Sequence, residues 1–167
     1  MFTKIEHFEQ NWSYESKVTQ NVMNALTDSA LSQNVSQGHR NLARMAWHII
    51  CSIPEMMNYT GLDFEDIDPN TPVPKTAQEI KDAYAKVSNM LMDNIKKNWT
   101  DDTLQIEDEL YGEKWKRGIT LFILLKHEIH HRGQMTVLMR QAGLTVPSIY
   151  GPAKEGWAEH GMDAPEV

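Results

Sequence analysis

The sequence predicts an all-α fold, specifically a four-helix bundle with a long second connection and an irregular C-terminal tail. Two observations carry this prediction. Apolar side chains recur at spacings of three and four residues in four long segments, which is the pattern of helices with one buried face. No segment shows a sustained alternation of apolar and polar residues, so no strong strand is expected. Long helices with one extended connection are typical of helix bundles.

Local signals set the expected helix boundaries. Pro54 should kink or end the second helix, because proline lacks an amide hydrogen and clashes with the preceding turn. Thr76 and Glu79 have the spacing of a capping box, which predicts a helix start there. Gly143 is a natural C-terminal stop. The predicted helices span roughly residues 4–30, 37–58, 76–99 and 116–142.

The segments between the predicted helices and the expected domain bounds can also be read from the sequence. Residues 61–75 contain three prolines and are read as a linker, whereas residues 101–116 are read as a loop with a short extended piece. We expect a single domain over residues 1–167, with the bundle at about 4–143 and the irregular tail at 144–167.

Bulk composition excludes several classes of protein. The net charge of -7 offers no general attraction to nucleic acid. The longest strongly apolar run, residues 119–125, is far shorter than the roughly 20 residues that span a membrane. A single cysteine, Cys51, builds neither an internal disulfide nor a multi-cysteine zinc site. The N-terminal residues do not resemble a signal peptide, so a cytoplasmic location is expected.

Two histidines on the fourth predicted helix point to chemistry. His127 and His131 are four residues apart and therefore lie on one helix face, where both imidazoles can reach one ion. That face continues through largely apolar residues, namely Thr120, Leu124, Met135 and Leu138. The pair favours a metal site, although two separate core histidines that bind carbonyls or water would also fit.

A third ligand must come from another segment. His48 is the best placed, because it lies in an uncharged stretch on or beside the apolar face of the second helix. His39 should be solvated, and His7 and His160 should lie on the surface near the termini. His130 is rotated about 100° from its neighbours on the helix and is expected to be exposed or to support the ligands.

A site with three imidazoles has chemical consequences. Structural zinc sites usually have four protein ligands, whereas a site with three keeps a position for water or substrate. Imidazole suits zinc, nickel, copper or iron, and it does not suit magnesium or calcium.

The same segment also matches the H-E-x-x-H pattern of metallopeptidases. In that interpretation Glu128, within residues 127–131, is the general base. The pattern is short, and the third ligand would have to be Glu155, Glu159 or His160 in the Gly- and Pro-rich tail. No strand is expected that could hold an extended peptide, so a peptidase is disfavoured.

Residues 127–135 and 140–143, followed by Pro147 and residues 150–152, resemble the DinB-like superfamily. His48 lies where that family carries its first metal-binding histidine. The resemblance implies a four-helix bundle, often dimeric, that binds one divalent metal, zinc or nickel, through three histidines. The same three positions, His48, His127 and His131, are then the expected ligands.

Related bacillithiol and glutathione transferases and thiol-dependent isomerases share the DinB-like fold. The resemblance therefore implies a metal-dependent S-transferase that activates a low-molecular-weight thiol, with a homodimer as the expected assembly. No catalytic residue is identified, but Glu128, His130 and Arg132 are candidates for orienting the ligands or binding an anionic cosubstrate. Two alternatives stay open, namely a non-catalytic metal-binding stress-response protein and a metal-dependent hydrolase that uses bound hydroxide with Glu128 as base.

Overall fold

The structure is a computed structural model and describes residues 1–64 and 71–166. It is mostly helical. Helix α1 packs mainly against α3 and α4, and α2 packs mainly against the same two helices, so the four surround one core. The α-helices are α1 (Ile5–Asn24), α2 (Leu42–Asn58), α3 (Ala77–Asn98) and α4 (Arg117–Gln141).

The core is aliphatic with a few large aromatic side chains. Phe8 and Trp12 of α1 stack with ring centroids 5.8 Å apart, and both are buried together with Tyr84 of α3. Burial of each large side chain contributes about 1.5–3 kcal/mol, so these contacts hold the helices together. Most of α2 is also buried, which brings its residues close to the fourth helix.

Two predicted helix boundaries are confirmed in atomic detail. The Thr76 hydroxyl accepts a hydrogen bond from the Glu79 amide, and the Glu79 carboxylate accepts one from the Thr76 amide, which completes the capping box of α3. Gly143 follows α4 with a φ of 75°, the left-handed conformation that glycine adopts at little cost.

Two other boundaries differ from the prediction. Helix α1 ends at Asn24 rather than near residue 30, because Asp28 accepts a hydrogen bond from the Ala77 amide at the start of α3 instead of continuing the helix. Helix α2 begins at Leu42 rather than near residue 37, since the Asn41 side chain caps it by accepting from the Arg44 amide. The helix also continues through Pro54 to Asn58.

The all-α prediction misses a small antiparallel sheet. Strands β1 (Glu107–Leu110) and β2 (Glu113–Lys116) pair within residues 101–116, the segment read as a loop with a short extended piece. Their four-residue sequences are mostly charged and carry no apolar alternation, so no strand signal was available. Tyr111 and Gly112 both have positive φ, as a type I′ turn requires. The Tyr111 hydroxyl donates to Glu55 and ties the turn to α2.

The structure covers the predicted linker and the predicted C-terminal tail to different extents. The linker prediction falls partly on residues 65–70, which lie outside the described residues. Within residues 144–166 the tail contains a short 3-10 helix, Lys154–His160, and no other helix or strand. Among the described helices, none is long and apolar enough to cross a membrane.

Two glycines of α4 offer a matched test of packing. A Cβ at Gly118 would overlap the backbone carbonyl oxygen of Phe2, whereas a Cβ at Gly133 would meet nothing. We expect Gly118→Ala to lower the free energy of unfolding by about 1–3 kcal/mol, because backbone must move. Gly133→Ala should raise it by up to about 1 kcal/mol through helix propensity. Urea unfolding measures both, and equal effects of the two substitutions would contradict this account.

Candidate metal centre

Three histidines meet where helices α2 and α4 pack. His48 comes from the middle of α2, and His127 and His131 come from successive turns of α4. The Nε2 atom of His48 lies 3.2 Å from the Nε2 of His127 and 3.2 Å from that of His131. The Nε2 atoms of His127 and His131 are 3.1 Å apart. The three nitrogens therefore form a nearly equilateral triangle.

This triangle fits a transition-metal ion. With metal–nitrogen distances of about 2.0–2.1 Å, tetrahedral geometry requires nitrogens about 3.3 Å apart, close to the separations seen here. Three neutral imidazoles facing one another with one nitrogen each cannot satisfy all three lone pairs by mutual hydrogen bonds. One shared cation would satisfy all of them, so the three histidines could hold a metal ion.

Gln134 orients one of the three rings. Its Oε1 lies 2.7 Å from His131 Nδ1, so that nitrogen carries the proton and donates, which leaves Nε2 as the lone pair facing the centre. The Gln134 amide nitrogen lies 3.2 Å from His130 Nε2, which is consistent with this orientation of the amide. The sequence reasoning did not assign a role to Gln134, although its position three residues after His131 places both on one helix face.

Burial keeps the three imidazoles neutral. Burial, aided by nearby positive charge that includes Arg40, lowers the pKa of His48 to about 4. Burial and the neighbouring histidines lower the pKa of His127 to about 4 as well. The pKa of His131 is also lowered, mainly by burial, while its hydrogen bond to Gln134 acts in the opposite direction. At neutral pH the rings are thus in the form that binds a metal.

Solvent-accessible cavities surround the cluster. A cavity of about 550 Å³ reaches His131, and a second of about 340 Å³ reaches His48. A third of about 190 Å³ is lined by both His48 and His127, and Tyr111 of the hairpin lines its wall. Among the described residues, no fourth histidine, cysteine or carboxylate joins the group. The group therefore offers three imidazole nitrogens to an ion and has space beside it.

Glu128 lies in the core rather than in any of these cavities. It is 1% exposed, and its Oε1 accepts hydrogen bonds from the Thr19 and Tyr84 hydroxyls of α1 and α3. Its Oε2 is buried without a partner among the described residues. Burial raises the pKa of Glu128 to about 7, although the two hydroxyls and Arg132 act to lower it. The structure does not bring this carboxyl to the histidine cavities.

Arg132 is likewise directed away from the cavities. Its side chain is buried, with Nη2 2.6 Å from Glu15 Oε2 and 2.8 Å from the Tyr150 hydroxyl. Its Nη1 donates to the Thr19 hydroxyl, which in turn donates to Glu128. The Tyr150 hydroxyl donates to Glu15, so this buried network joins α1, α4 and the C-terminal tail.

The remaining histidines lie as expected. His7, His39 and His160 are exposed, and His39 contacts the Ser36 hydroxyl through Nδ1. His130 is also exposed, but its ring lies against that of His131 with centroids 4.9 Å apart. Of the three candidates for orienting the ligands, His130 is the one placed next to the site.

Comparison with known proteins identifies the family of this chain. The profile of the DinB family matches residues 1–164. The chain therefore belongs to the DinB family. A protein of Bacillus subtilis strain 168 described as uncharacterized protein YrdA is 45% identical over 167 residues, which is all of both chains.

Solved structures show the same fold. A DinB-like protein from Bacillus cereus ATCC 10987 is 45% identical, with a TM-score of 0.86 over 90% of this chain and 100% of that chain. The DinB-like protein YjoA from Bacillus subtilis is 16% identical, with a TM-score of 0.69 over 87% of this chain and 99% of that one. The resemblance predicted from the fourth helix is thus confirmed at the level of family and fold.

The contact between Gln134 and His131 has a measurable consequence. Gln134→Ala removes the acceptor that holds the His131 proton on Nδ1, so we expect zinc affinity to fall about 10- to 100-fold. Competition with a chromophoric chelator measures the affinity. Thr136→Ala is the matched control, because the Thr136 hydroxyl donates to the Gly133 carbonyl oxygen within α4 and not to a histidine. An unchanged zinc affinity in Gln134→Ala would show that the amide does not orient the ring.

The buried carboxyl of Glu128 should make stability depend on pH. Its pKa is raised in the folded protein, so the folded state holds the proton more tightly and loses stability as the pH rises from about 4.5 to 7. Glu128→Gln removes this loss. In the metal-free state, the free energy of unfolding of the variant relative to that of wild type should increase by up to about 1.4 kcal/mol per pH unit between pH 5 and 7. Urea unfolding at both pH values tests this, and a pH-independent difference would contradict it.

Proposed function

We propose that this chain is a metal-dependent thiol S-transferase, with His48, His127 and His131 binding one divalent metal. One observation carries the proposal: three Nε2 atoms converge at 3.1–3.2 Å beside cavities, and no fourth ligand joins them among the described residues. A purely structural zinc site would be closed by a fourth ligand. Family membership supports the fold on which the site is built.

The chemistry expected at this centre is activation of a thiol. A bound divalent metal would lower the pKa of a thiol at its open position toward neutrality. In the proposed transfer the thiol proton would pass to solvent, the sulfur would form a bond to an electrophilic carbon, and the leaving group would depart with the electrons of its former bond. The chain's own contribution is to keep the three imidazoles neutral and to orient His131 through Gln134.

The finer features of the proposal follow from the donor set and the resemblance. All-imidazole ligation suits zinc, nickel, copper or iron, and the DinB-like resemblance is the reason we propose zinc or nickel among these. We place the protein in the cytoplasm as a homodimer of four-helix bundles that acts on a small molecule and does not bind nucleic acid. The acidic net charge of -7 supports the last point.

The two alternatives receive less support. A hydrolase with Glu128 as base requires that carboxyl near the centre, but its partners are Thr19 and Tyr84 in the core. A non-catalytic metal-binding protein needs no space for a further ligand, whereas a cavity of about 550 Å³ reaches His131.

A conjugation assay tests the proposed function. Zinc- or nickel-loaded protein is mixed with cysteine or glutathione and 1-chloro-2,4-dinitrobenzene, and formation of the thioether is followed by absorbance. We expect turnover above the uncatalysed rate that disappears with chelator and in His127→Ala. His7→Ala is the control, because His7 is exposed on α1. Equal rates for wild type and His127→Ala with every thiol would refute S-transfer.

A further inference from the structure

We propose that the cavity between Arg40 and His131 binds an organic molecule that carries a carboxylate, with Arg40 as the residue that recognises the charge. This deepens the proposed function by naming the class of substrate, and it rests on that function only for the reaction that follows binding. The carboxylate lies at the Arg40 end, and an apolar portion extends along the wall toward the metal centre.

The cavity has the size and lining of a small-molecule site. Its volume of about 550 Å³ lies in the range of about 300–1,000 Å³ that ligand pockets occupy. Met45 and Leu138 provide apolar wall, and Gln134 and His131 provide polar atoms on the α4 side. The described residues that line it include no aspartate or glutamate, so a carboxylate entering this space meets no like charge from them.

Arg40 is positioned to receive an anion. It lines both this cavity and the adjacent one that contains His48, and so it stands between the two approaches to the centre. Arg44, in the first turn of α2, lines the second cavity as well. Within residues 1–64 and 71–166, neither guanidinium forms an ion pair or a side-chain hydrogen bond. Guanidinium groups are well suited to binding carboxylates in a bidentate manner.

Charge balance at the centre also favours an anion. Neutral imidazoles would leave the charge of a divalent metal uncompensated, and Arg40 and Arg44 add further positive charge at the same location. Among the described residues that line the cavities around His48, Glu55 is the one carboxylate, and it accepts a hydrogen bond from Tyr111. An anionic ligand would therefore be attracted more strongly than a neutral one.

Binding of hexanoate and of hexan-1-ol to the zinc-loaded protein tests the proposal. The two probes share an apolar chain and differ in the carboxylate, and isothermal titration measures both. We expect wild type to bind hexanoate at least five times more tightly than hexan-1-ol. Arg40→Gln should abolish this preference, and Arg40→Lys should keep part of it. Lys97→Gln is the matched control, because it removes one positive charge on α3 away from the cavity. It should leave the preference for hexanoate over hexan-1-ol unchanged.

Each remaining outcome is decisive. Hexanoate affinity that is equal in wild type and Arg40→Gln would overturn the proposal, because a carboxylate bound by the metal alone is insensitive to Arg40. Absence of hexanoate binding in wild type would overturn it as well. The proposed function fails separately: an Arg40-dependent preference for hexanoate without thiol turnover refutes S-transfer and leaves the anion site standing.

Discussion

Zinc added to the metal-free protein should raise its melting temperature, and His131→Ala should abolish that rise. A ligand that binds only the folded state stabilises it by about 2.7 kcal/mol at a hundredfold excess over its Kd. For a chain of 167 residues this corresponds to an increase of about 5–11 °C. Differential scanning calorimetry measures the shift. The reason is geometric, because loss of one imidazole leaves two nitrogens and a weaker site.

His130→Ala provides the control for this prediction. His130 is adjacent to His131 in the sequence and is exposed, and it contacts the cluster only through the His131 ring and Gln134. Its substitution should preserve most of the zinc-dependent rise in melting temperature. If His130→Ala and His131→Ala lost the rise equally, the assignment of ligands on α4 would be wrong.

Loss of the buried ion pair should be the largest effect on stability. Arg132→Met removes the cation that contacts Glu15, Thr19 and Tyr150, and it leaves the Glu15 carboxylate at a largely buried position. Removal of one partner from such a pair costs about 3–5 kcal/mol, because the other charge stays desolvated. Urea unfolding of the metal-free variant measures the loss.

A double substitution separates the charge from the packing. Arg132→Met combined with Glu15→Gln removes both charges, so a substantial part of the lost stability should return. Tyr150→Phe, which loses one hydroxyl at the edge of the same network, should cost only about 1 kcal/mol. A loss below 1 kcal/mol in Arg132→Met, or no recovery in the double variant, would contradict the view that this pair holds α1 to α4.

Much of the candidate site could be predicted because it depends on local periodicity. The 3.6-residue repeat of a helix places residues four apart on one face, and this is why His127 and His131 meet in the structure. The prediction of His48 required further observations, since the spacing of residues in one helix does not tell which residue of another helix lies opposite. Its uncharged surroundings and the DinB-like resemblance selected it, and the structure places its Nε2 within 3.2 Å of both partners.

Other features depend on contacts that no local pattern records. Helix α1 stops early because Asp28 caps a helix nearly 50 residues away, as the Ala77 amide contact shows. The hairpin forms from charged strands around a Tyr111–Gly112 turn. Glu128 and Arg132 were candidates for orienting the ligands or binding an anionic cosubstrate. Both instead lie on a second buried side of α4, because this helix is covered by α1 as well as by α2.

The central claim is that three histidines bind one metal ion, and elemental analysis of the purified protein tests it most directly. Wild type and His48→Ala are each loaded with zinc or nickel, desalted and measured by inductively coupled plasma mass spectrometry. The account predicts close to one equivalent of metal per chain in wild type and very little in His48→Ala. An equal metal content in both proteins, or none in wild type, would contradict it.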